Sequence, residues 1–152
     1  MSEKKELSVS AIEEGTVIDH IPADCLFKVI SILGLDSCEN QITFGTNLGS
    51  KRYGKKAIIK VADRFFEDED LNRIALVAPY ARLNIIKGYE VVEKKHVTVP
   101  QEIVGIAKCF NPKCITNNEN ITTHFSLVNA NVLALKCHYC EKITTEEHLK
   151  IL

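Results

Sequence analysis

No apolar run in this sequence approaches the roughly 20 residues that a helix needs to cross a bilayer, so we expect no membrane-spanning helix. Residues 1–6 are charged and no apolar segment follows them, which predicts no secretory signal and a cytoplasmic location. A large net charge is lacking too, because 19 basic residues face 20 acidic ones. This balance excludes a protein whose whole surface is a polycation for nucleic acid or anionic membrane.

Common catalytic motifs are also missing. The sequence contains no Gly-x-Ser-x-Gly elbow, no His-Glu-x-x-His, no Walker loop and no Gly-x-Gly-x-x-Gly. A stand-alone enzyme that uses nucleotides would need a nucleophile or a metal with an open position, and neither is evident. Hydrophobic residues make up 45% of the chain, which suffices for a globular fold. We therefore favour a protein that binds rather than one that catalyses.

Four of the six cysteines form two short pairs near the C-terminus, separated by a 22-residue insert: Cys109 and Cys114, then Cys137 and Cys140. Short pairs aim two thiolates at one point, and two such pairs are typical of a tetrahedral zinc site. Four sulfur ligands close the coordination shell, so the zinc would be structural. Two disulfides are an alternative, although they suit exported proteins. Four unrelated thiols are the third possibility.

The segment around these cysteines, 101–152, is too short to bury a large apolar core, so its folding should depend on the metal. Two histidines near the cysteines, His124 and His138, are interpreted as surface residues. The remaining thiols, Cys25 and Cys38, have no partner at ligand spacing and are interpreted as ordinary reduced cysteines.

The first hundred residues alternate strand and helix patterns. Strands are predicted at 7–12, 16–21, 41–48, 56–61, 82–86 and 89–94, with one helix opening at Pro22 and another over 67–78. This order predicts an α+β fold, a ferredoxin-like antiparallel sheet with two helices on one face. A small β-rich four-cysteine zinc-binding domain should follow, with strands in 121–128 and 131–136. The predicted domains are 1–100 and 101–152.

A candidate binding surface lies on the predicted sheet. Lys60 and Lys94 fall in strands and could meet a triphosphate as point charges, while Asp19 and His20 end another strand. A solvated face is the simpler interpretation of such lysines. The basic segment 49–56 could cradle phosphate, but it could equally be a solvated hairpin.

Several strings in the sequence resemble one family. They are GTVIDHIPA at 15–23, Asn84 with YEVV at 89–92, the first cysteine pair, and LKCHYCEK at 135–142. Over essentially the whole chain the sequence resembles the regulatory chain of aspartate carbamoyltransferase. The resemblance implies a non-catalytic subunit with an N-terminal allosteric nucleotide-binding domain and a C-terminal zinc domain that docks on the catalytic chain. Such a subunit controls the first committed step of pyrimidine biosynthesis.

The resemblance also implies an effector pocket, in which CTP inhibits and ATP activates, with UTP as a further ligand. Its residues would be Val9, Ser10, Ala11, Ile12, Asp19, His20, Lys60, Asn84, Tyr89, Val91 and Lys94. Two regulatory chains are expected to pair through their N-terminal domains, and one structural zinc is expected per chain. The sequence departs from common family members at Glu6, at Ser10 and in the 49–54 loop, which bears on effector selectivity.

A zinc-ribbon protein that binds nucleic acid is the competing interpretation. It predicts a basic face on the zinc domain. Residues 101–152 contain five lysines and five glutamates, which is a poor nucleic-acid surface. The sequence therefore favours a regulatory chain whose partners are nucleotides and other protein chains. We expect it to bind neither nucleic acid nor a membrane.

Overall fold

The computed structural model describes residues 11–129 and 131–152. The predicted strand at 7–12 falls mostly outside these residues, and so do Val9 and Ser10. The chain divides into two compact units between Thr98 and Val99. In the part of the chain that is described, no helix has the length and apolar character to cross a membrane.

The first unit is an antiparallel five-stranded sheet with two short helices. Its strands are β1 (Glu14–Pro22), β2 (Ile42–Ser50), β3 (Gly54–Ala62), β4 (Arg82–Lys87) and β5 (Glu90–His96), and its helices are α1 (Leu26–Ile32) and α2 (Asp68–Asn72). The spatial order is β2-β3-β1-β4-β5. Strands β1–β4 thus have the ferredoxin-like order, and β5 extends the sheet beside β4. The predicted α+β fold is confirmed.

Both helices differ from their predicted extents. Pro22 ends β1 instead of opening a helix, and a 3-10 turn at Ala23–Cys25 precedes α1. The second helix is α-helical only over Asp68–Asn72 and continues as a 3-10 helix over Arg73–Leu76. The acidic side chains in the first turn of α2 stabilise the helix, because their negative charge interacts favourably with the positive end of the helix dipole.

The core of the first unit lies between the sheet and the helices. Ile18, Ile59 and Leu83 stand opposite one another on three adjacent strands and are fully buried. Leu26 and Ile74 from the helical layer are buried as well. Because side chains alternate along a strand, the residues next to this row in sequence point to the opposite face of the sheet.

The second unit is built from two small antiparallel sheets. One has the order β10-β9-β8-β6 and the other pairs β11 with β7. The strands are β6 (Glu102–Val104), β7 (Ala107–Lys108), β8 (His124–Asn129), β9 (Ala134–Cys137), β10 (Ile143–Thr145) and β11 (Lys150–Ile151). The predicted β-rich segments at 121–128 and 131–136 each become a strand that begins three residues later. Ile103, Phe125 and Leu135 form the buried side of the larger sheet.

Candidate metal centre and candidate binding face

One row of side chains crosses the face of the five-stranded sheet opposite the core. Lys60 in β3 stands opposite Val17 in β1, Val17 opposite Asn84 in β4, and Asn84 opposite Lys94 in β5. We call these four residues the Lys60–Lys94 row. The strands bring together three of the residues that the resemblance implied, although they are far apart in sequence.

Asp19 and His20 lie beside this row at an irregularity in β1. The pairing of β1 with β3 shifts register between Ile18 and Ile21, and His20 has a left-handed backbone with φ of 63°. Asp19 Oδ1 accepts a hydrogen bond from the backbone N–H of His20 at 2.6 Å. Lys56 Nζ lies 3.0 Å from the same carboxylate oxygen. A bulge changes the direction of the side chains in it, and this one contains Asp19 and His20 near the C-terminal end of β1.

Lys60 is unusual among lysines because its side chain is largely buried, with 8% of the residue exposed. This burial lowers the pKa of its ammonium group, and the nearby Asp19 carboxylate partly opposes the shift. A lysine ammonium that loses hydration gains more from an anionic ligand than a fully solvated one does.

The other described residues of the implied pocket surround the row. Tyr89 occupies the two-residue turn between β4 and β5, with φ of 68°, and is 66% exposed. Val91 follows in β5 and is half-exposed. Ala11 and Ile12 line a small cavity that also includes Thr43, the β2 neighbour of Lys60.

A basic cavity of about 450 Å³ was not predicted as a unit. Arg82 and His96, which line it, stand opposite each other two residues along from Asn84 and Lys94 on the same face. Its other lysine, arginine and histidine side chains are Lys51, Arg52, Lys56 and His20, and none of the described residues that line it carries a carboxylate. Lys55 from the same predicted segment lines a different cavity. The alternation of β4 and β5 was the signal that could have revealed Arg82 and His96.

The four C-terminal cysteines meet at one point. Their sulfur atoms all lie within 4.8 Å of one another. Cys109 Sγ lies 3.6 Å from Cys140 Sγ, and Cys114 Sγ lies 3.7 Å from Cys137 Sγ. A tetrahedron of sulfurs at the zinc–sulfur distance of 2.3 Å has edges of about 3.8 Å, whereas a disulfide needs about 2.05 Å. The donor set and its spacing fit a tetrahedral metal ion.

Hydrogen bonds hold the cysteine loops in shape. The side-chain amide of Asn117 donates to the backbone carbonyls of Cys109 and Asn111, at 2.9 and 2.7 Å. The backbone N–H of Cys137 donates to the carbonyl of Lys142 at 3.0 Å, which closes the second loop. Such contacts orient ligands before a metal arrives.

The thiols differ in their proton affinity. Burial raises the pKa of Cys109 and of Cys137. Burial acts on Cys140 in the same direction, but hydrogen bonds from the backbone of Lys142 and the side chain of Asn111 outweigh it and bring its pKa to about 7. A metal must therefore displace protons from the buried thiols when it binds.

The remaining cysteines and histidines lie elsewhere. Cys25 and Cys38 are free, partly buried thiols outside this cluster. His124 and His138 keep 34% and 38% of their side chains exposed and do not join the four sulfurs. Instead they meet Glu102, with which they form a second group of potential ligand atoms.

Two family models match the chain. The "Aspartate carbamoyltransferase regulatory chain, allosteric domain" matches residues 7–98, and the "metal binding domain" of the same chain matches residues 101–150. Curated relatives with high identity carry the name aspartate carbamoyltransferase regulatory chain. The protein from Phocaeicola vulgatus is 56% identical over 153 residues, covering 100% of this chain and 99% of its own. The protein from Pyrococcus horikoshii is 53% identical over 146 residues, covering 95% and 96%.

Proposed function

The chain belongs to the family of aspartate carbamoyltransferase regulatory chains, and from this premise we propose that it is a cytoplasmic subunit through which CTP and ATP control the catalytic chain. The chain itself is non-catalytic. Its first unit would bind the nucleotide, and its second unit would hold a structural zinc ion and dock on the catalytic chain.

The observation that carries the nucleotide proposal is the Lys60–Lys94 row. Its two lysines are separated by three inter-strand steps of about 4.8 Å each, so they flank a strip of sheet comparable in length to a nucleotide. Asn84 lies between them and offers both a hydrogen-bond donor and an acceptor for a base edge. In this arrangement the buried Lys60 would contact the base and ribose, and the exposed Lys94 the phosphates.

The phosphate end of the ligand would continue toward Asp19, His20 and the basic cavity. Arg82 and His96 extend the same sheet face, so positive charge increases in the direction away from Tyr89. A triphosphate gains from several cationic donors because each contact is charge-assisted. UTP is proposed as a further ligand from the family alone. The residues of this site that lie outside the described part, Val9 and Ser10, stay predictions.

We assign zinc to the four-cysteine cluster on its donor set. Four thiolates are soft ligands that select zinc among the common divalent ions, and they leave no open position for water. The ligands would be Cys109, Cys114, Cys137 and Cys140. Zinc would stabilise the small second unit and would take no part in chemistry.

Apolar side chains around the cysteine loops support docking on another protein. Phe110, Ile115, Tyr139 and Ile143 are each roughly half exposed and flank the two cysteine pairs. Exposed apolar groups of this kind mark protein interfaces. The catalytic chain would cover them, so zinc would maintain the surface that the catalytic chain recognises.

A second regulatory chain is the other proposed partner, and it would pair through the first unit. Phe27 of α1 and Phe44 of the edge strand β2 are both exposed and contact each other edge to face, with ring centroids 6.0 Å apart. Among the described residues no strand pairs with the outer edge of β2, and a hydrophobic pair beside such an edge is a surface that a second copy could cover.

Regulation would operate through a difference in binding. A nucleotide shifts the assembly only if it binds one quaternary state more tightly than the other, and such couplings are typically about 1–3 kcal/mol. The experiment is reconstitution with the catalytic chain, followed by activity assays with and without CTP and ATP. Effector-dependent activity supports the proposal. Failure of the two chains to assemble, or assembly without any response to either nucleotide, contradicts it.

A further inference from the structure

The larger sheet of the second unit has an outer face that carries polar side chains. Glu102 in β6 stands directly opposite Ser126 in β8, and His124 lies two residues before Ser126 on the same face. Ile103, which follows Glu102, and Phe125, which lies between His124 and Ser126, are buried on the other face. Alternation along two paired strands therefore brings a carboxylate and an imidazole together.

The loop of the second cysteine pair adds another imidazole to this group. The backbone N–H of His138 donates to the carbonyl of His124 at 2.9 Å, which fixes the loop against β8. The two rings stack with their centroids 3.6 Å apart. Both Nε2 atoms approach the same carboxylate oxygen, Glu102 Oε1, at 2.6 Å from His124 and 3.4 Å from His138.

We propose that Glu102, His124 and His138 form a second metal site, which takes a divalent transition-metal ion such as zinc and is separate from the four-cysteine cluster. Two imidazole nitrogens and one carboxylate oxygen are ligands suited to Zn²⁺, Ni²⁺ or Cu²⁺. Three protein ligands leave at least one position for water, unlike the closed shell of four thiolates.

The geometry is close to what such an ion requires. Ligand atoms at about 2.1 Å from a tetrahedral ion are about 3.4 Å apart, which is the present separation of His138 Nε2 and Glu102 Oε1. The shorter contact from His124 would lengthen as the ion enters. The two rings would also rotate out of their stack so that both nitrogen lone pairs point at one centre, and their partial exposure leaves space for this rotation.

Ser126 contacts the proposed ligand Glu102 without being a ligand itself. Its hydroxyl lies 3.1 Å from Glu102 Oε2, the carboxylate oxygen that does not face His124, and is placed to donate to it. The same hydroxyl lies 2.6 Å from His138 Nε2, and the ion would replace this contact when it binds. This hydrogen bond orients the carboxylate and leaves Oε1 for the ion. Supporting contacts of this kind typically change metal affinity about 10- to 100-fold.

The test uses the full chain with zinc already bound at the cysteines. The chain is dialysed against buffered micromolar zinc, and bound zinc is counted by elemental analysis. We expect a second zinc ion per chain in the unchanged protein, and affinity for that ion about 10-fold weaker or worse in His124→Asn. His148→Asn is the matched control, because His148 forms a His–Glu pair with Glu147 in the same unit but lacks a second imidazole.

Nitrogen-15 spectra of the histidine rings give an independent measurement. Zinc addition should shift the ring nitrogens of His124 and His138 and leave those of His148 unchanged. Retention of the cysteine-bound zinc in His124→Asn reports that the variant is folded. The inference is overturned if the unchanged chain takes up no second ion, or if His124→Asn and His148→Asn take it up equally well.

Discussion

Lys94 and Lys95 are neighbours in β5, yet they serve opposite faces of the five-stranded sheet. Lys94 stands opposite Asn84 in the Lys60–Lys94 row, on the face that points away from α1 and α2. Lys95 stands opposite the buried Leu83, and its ammonium nitrogen lies 2.9 Å from Asp68 of α2. One lysine is thus available to a ligand, while the other joins the sheet to its helical layer.

This difference gives a matched pair of variants for the nucleotide site. Lys94→Ala should weaken CTP binding about 10- to 100-fold, because a charge-assisted hydrogen bond contributes about 1.5–3 kcal/mol. Lys95→Ala removes the same charge from the other face and should leave CTP affinity within about twofold of the unchanged chain. Titration calorimetry measures both. Equal losses in the two variants would point to general electrostatic attraction and would contradict the proposed site.

Much of this face follows from the alternation of residues along the strands, but its end does not. Period-two patterns place Lys60, Asn84 and Lys94 on one face once the strand order is known. The same rule would place Ile21 on the face of Asp19, whereas the bulge at His20 returns Ile21 to the core. No pattern in the sequence predicts a left-handed backbone at this histidine, so the position of His20 could not be predicted from the alternation of residues.

The metal centres show the same contrast. The four cysteines are predictable because short spacings within each pair limit where the sulfur atoms can lie. The group of Glu102, His124 and His138 depends on the register between β6 and β8 and on a backbone hydrogen bond between His138 and His124. No spacing along the chain predicts such contacts. For this reason the sequence indicates only that His124 and His138 are surface residues.

His20 should make nucleotide binding depend on pH. Burial, aided by the charges of Lys56 and Arg82, lowers the pKa of His20 below its usual 6.5 against the opposing effect of Asp19, so the ring is neutral at pH 7. A triphosphate beside it would favour the imidazolium and raise this pKa. Binding would then take up a proton, and affinity for CTP would increase as pH falls from about 7.5 towards 6, by at most tenfold per unit.

The control for this effect is His20→Gln, which retains a polar side chain but cannot take up a proton. The terminal phosphate itself titrates near pH 6, so the informative quantity is the ratio of the two affinities at each pH. We expect this ratio to increase in favour of the unchanged chain as pH falls. A ratio that stays constant between pH 6 and 8 would show that His20 does not contact the phosphates.

Gly15 should be irreplaceable at the start of β1. Its φ is 141°, and a Cβ atom there would lie 2.1 Å from the backbone oxygen of Val61 in β3. Gly15→Ala must therefore strain β1 or separate it from β3, and we expect a loss of about 2–4 kcal/mol in the free energy of unfolding. Urea denaturation measures this loss. Gly49→Ala, with no atom within 4 Å of the new methyl group and no positive φ, should change it by less than about 0.5 kcal/mol.

Loss of the metal should abolish binding of the second unit to the catalytic chain and leave nucleotide binding by the first unit unchanged. Cys114→Ser loses one of the four proposed zinc ligands, so zinc content should fall and binding to the catalytic chain should be lost with it. Cys38→Ser removes a thiol outside the cluster and should affect neither. Nucleotide binding should persist in both variants, because the Lys60–Lys94 row belongs to the other unit.

A mercurial that reacts with thiols should give the same result without mutation. Mercury competes for the sulfur ligands, so a zinc indicator should report release of the ion, and size-exclusion chromatography should show the regulatory chain leaving the assembly at the same reagent concentration. We expect these two events to coincide, because Phe110 and Tyr139 lie within the two cysteine loops that the metal would hold together. An assembly that stays intact after complete release of zinc would contradict a structural role for the metal in docking.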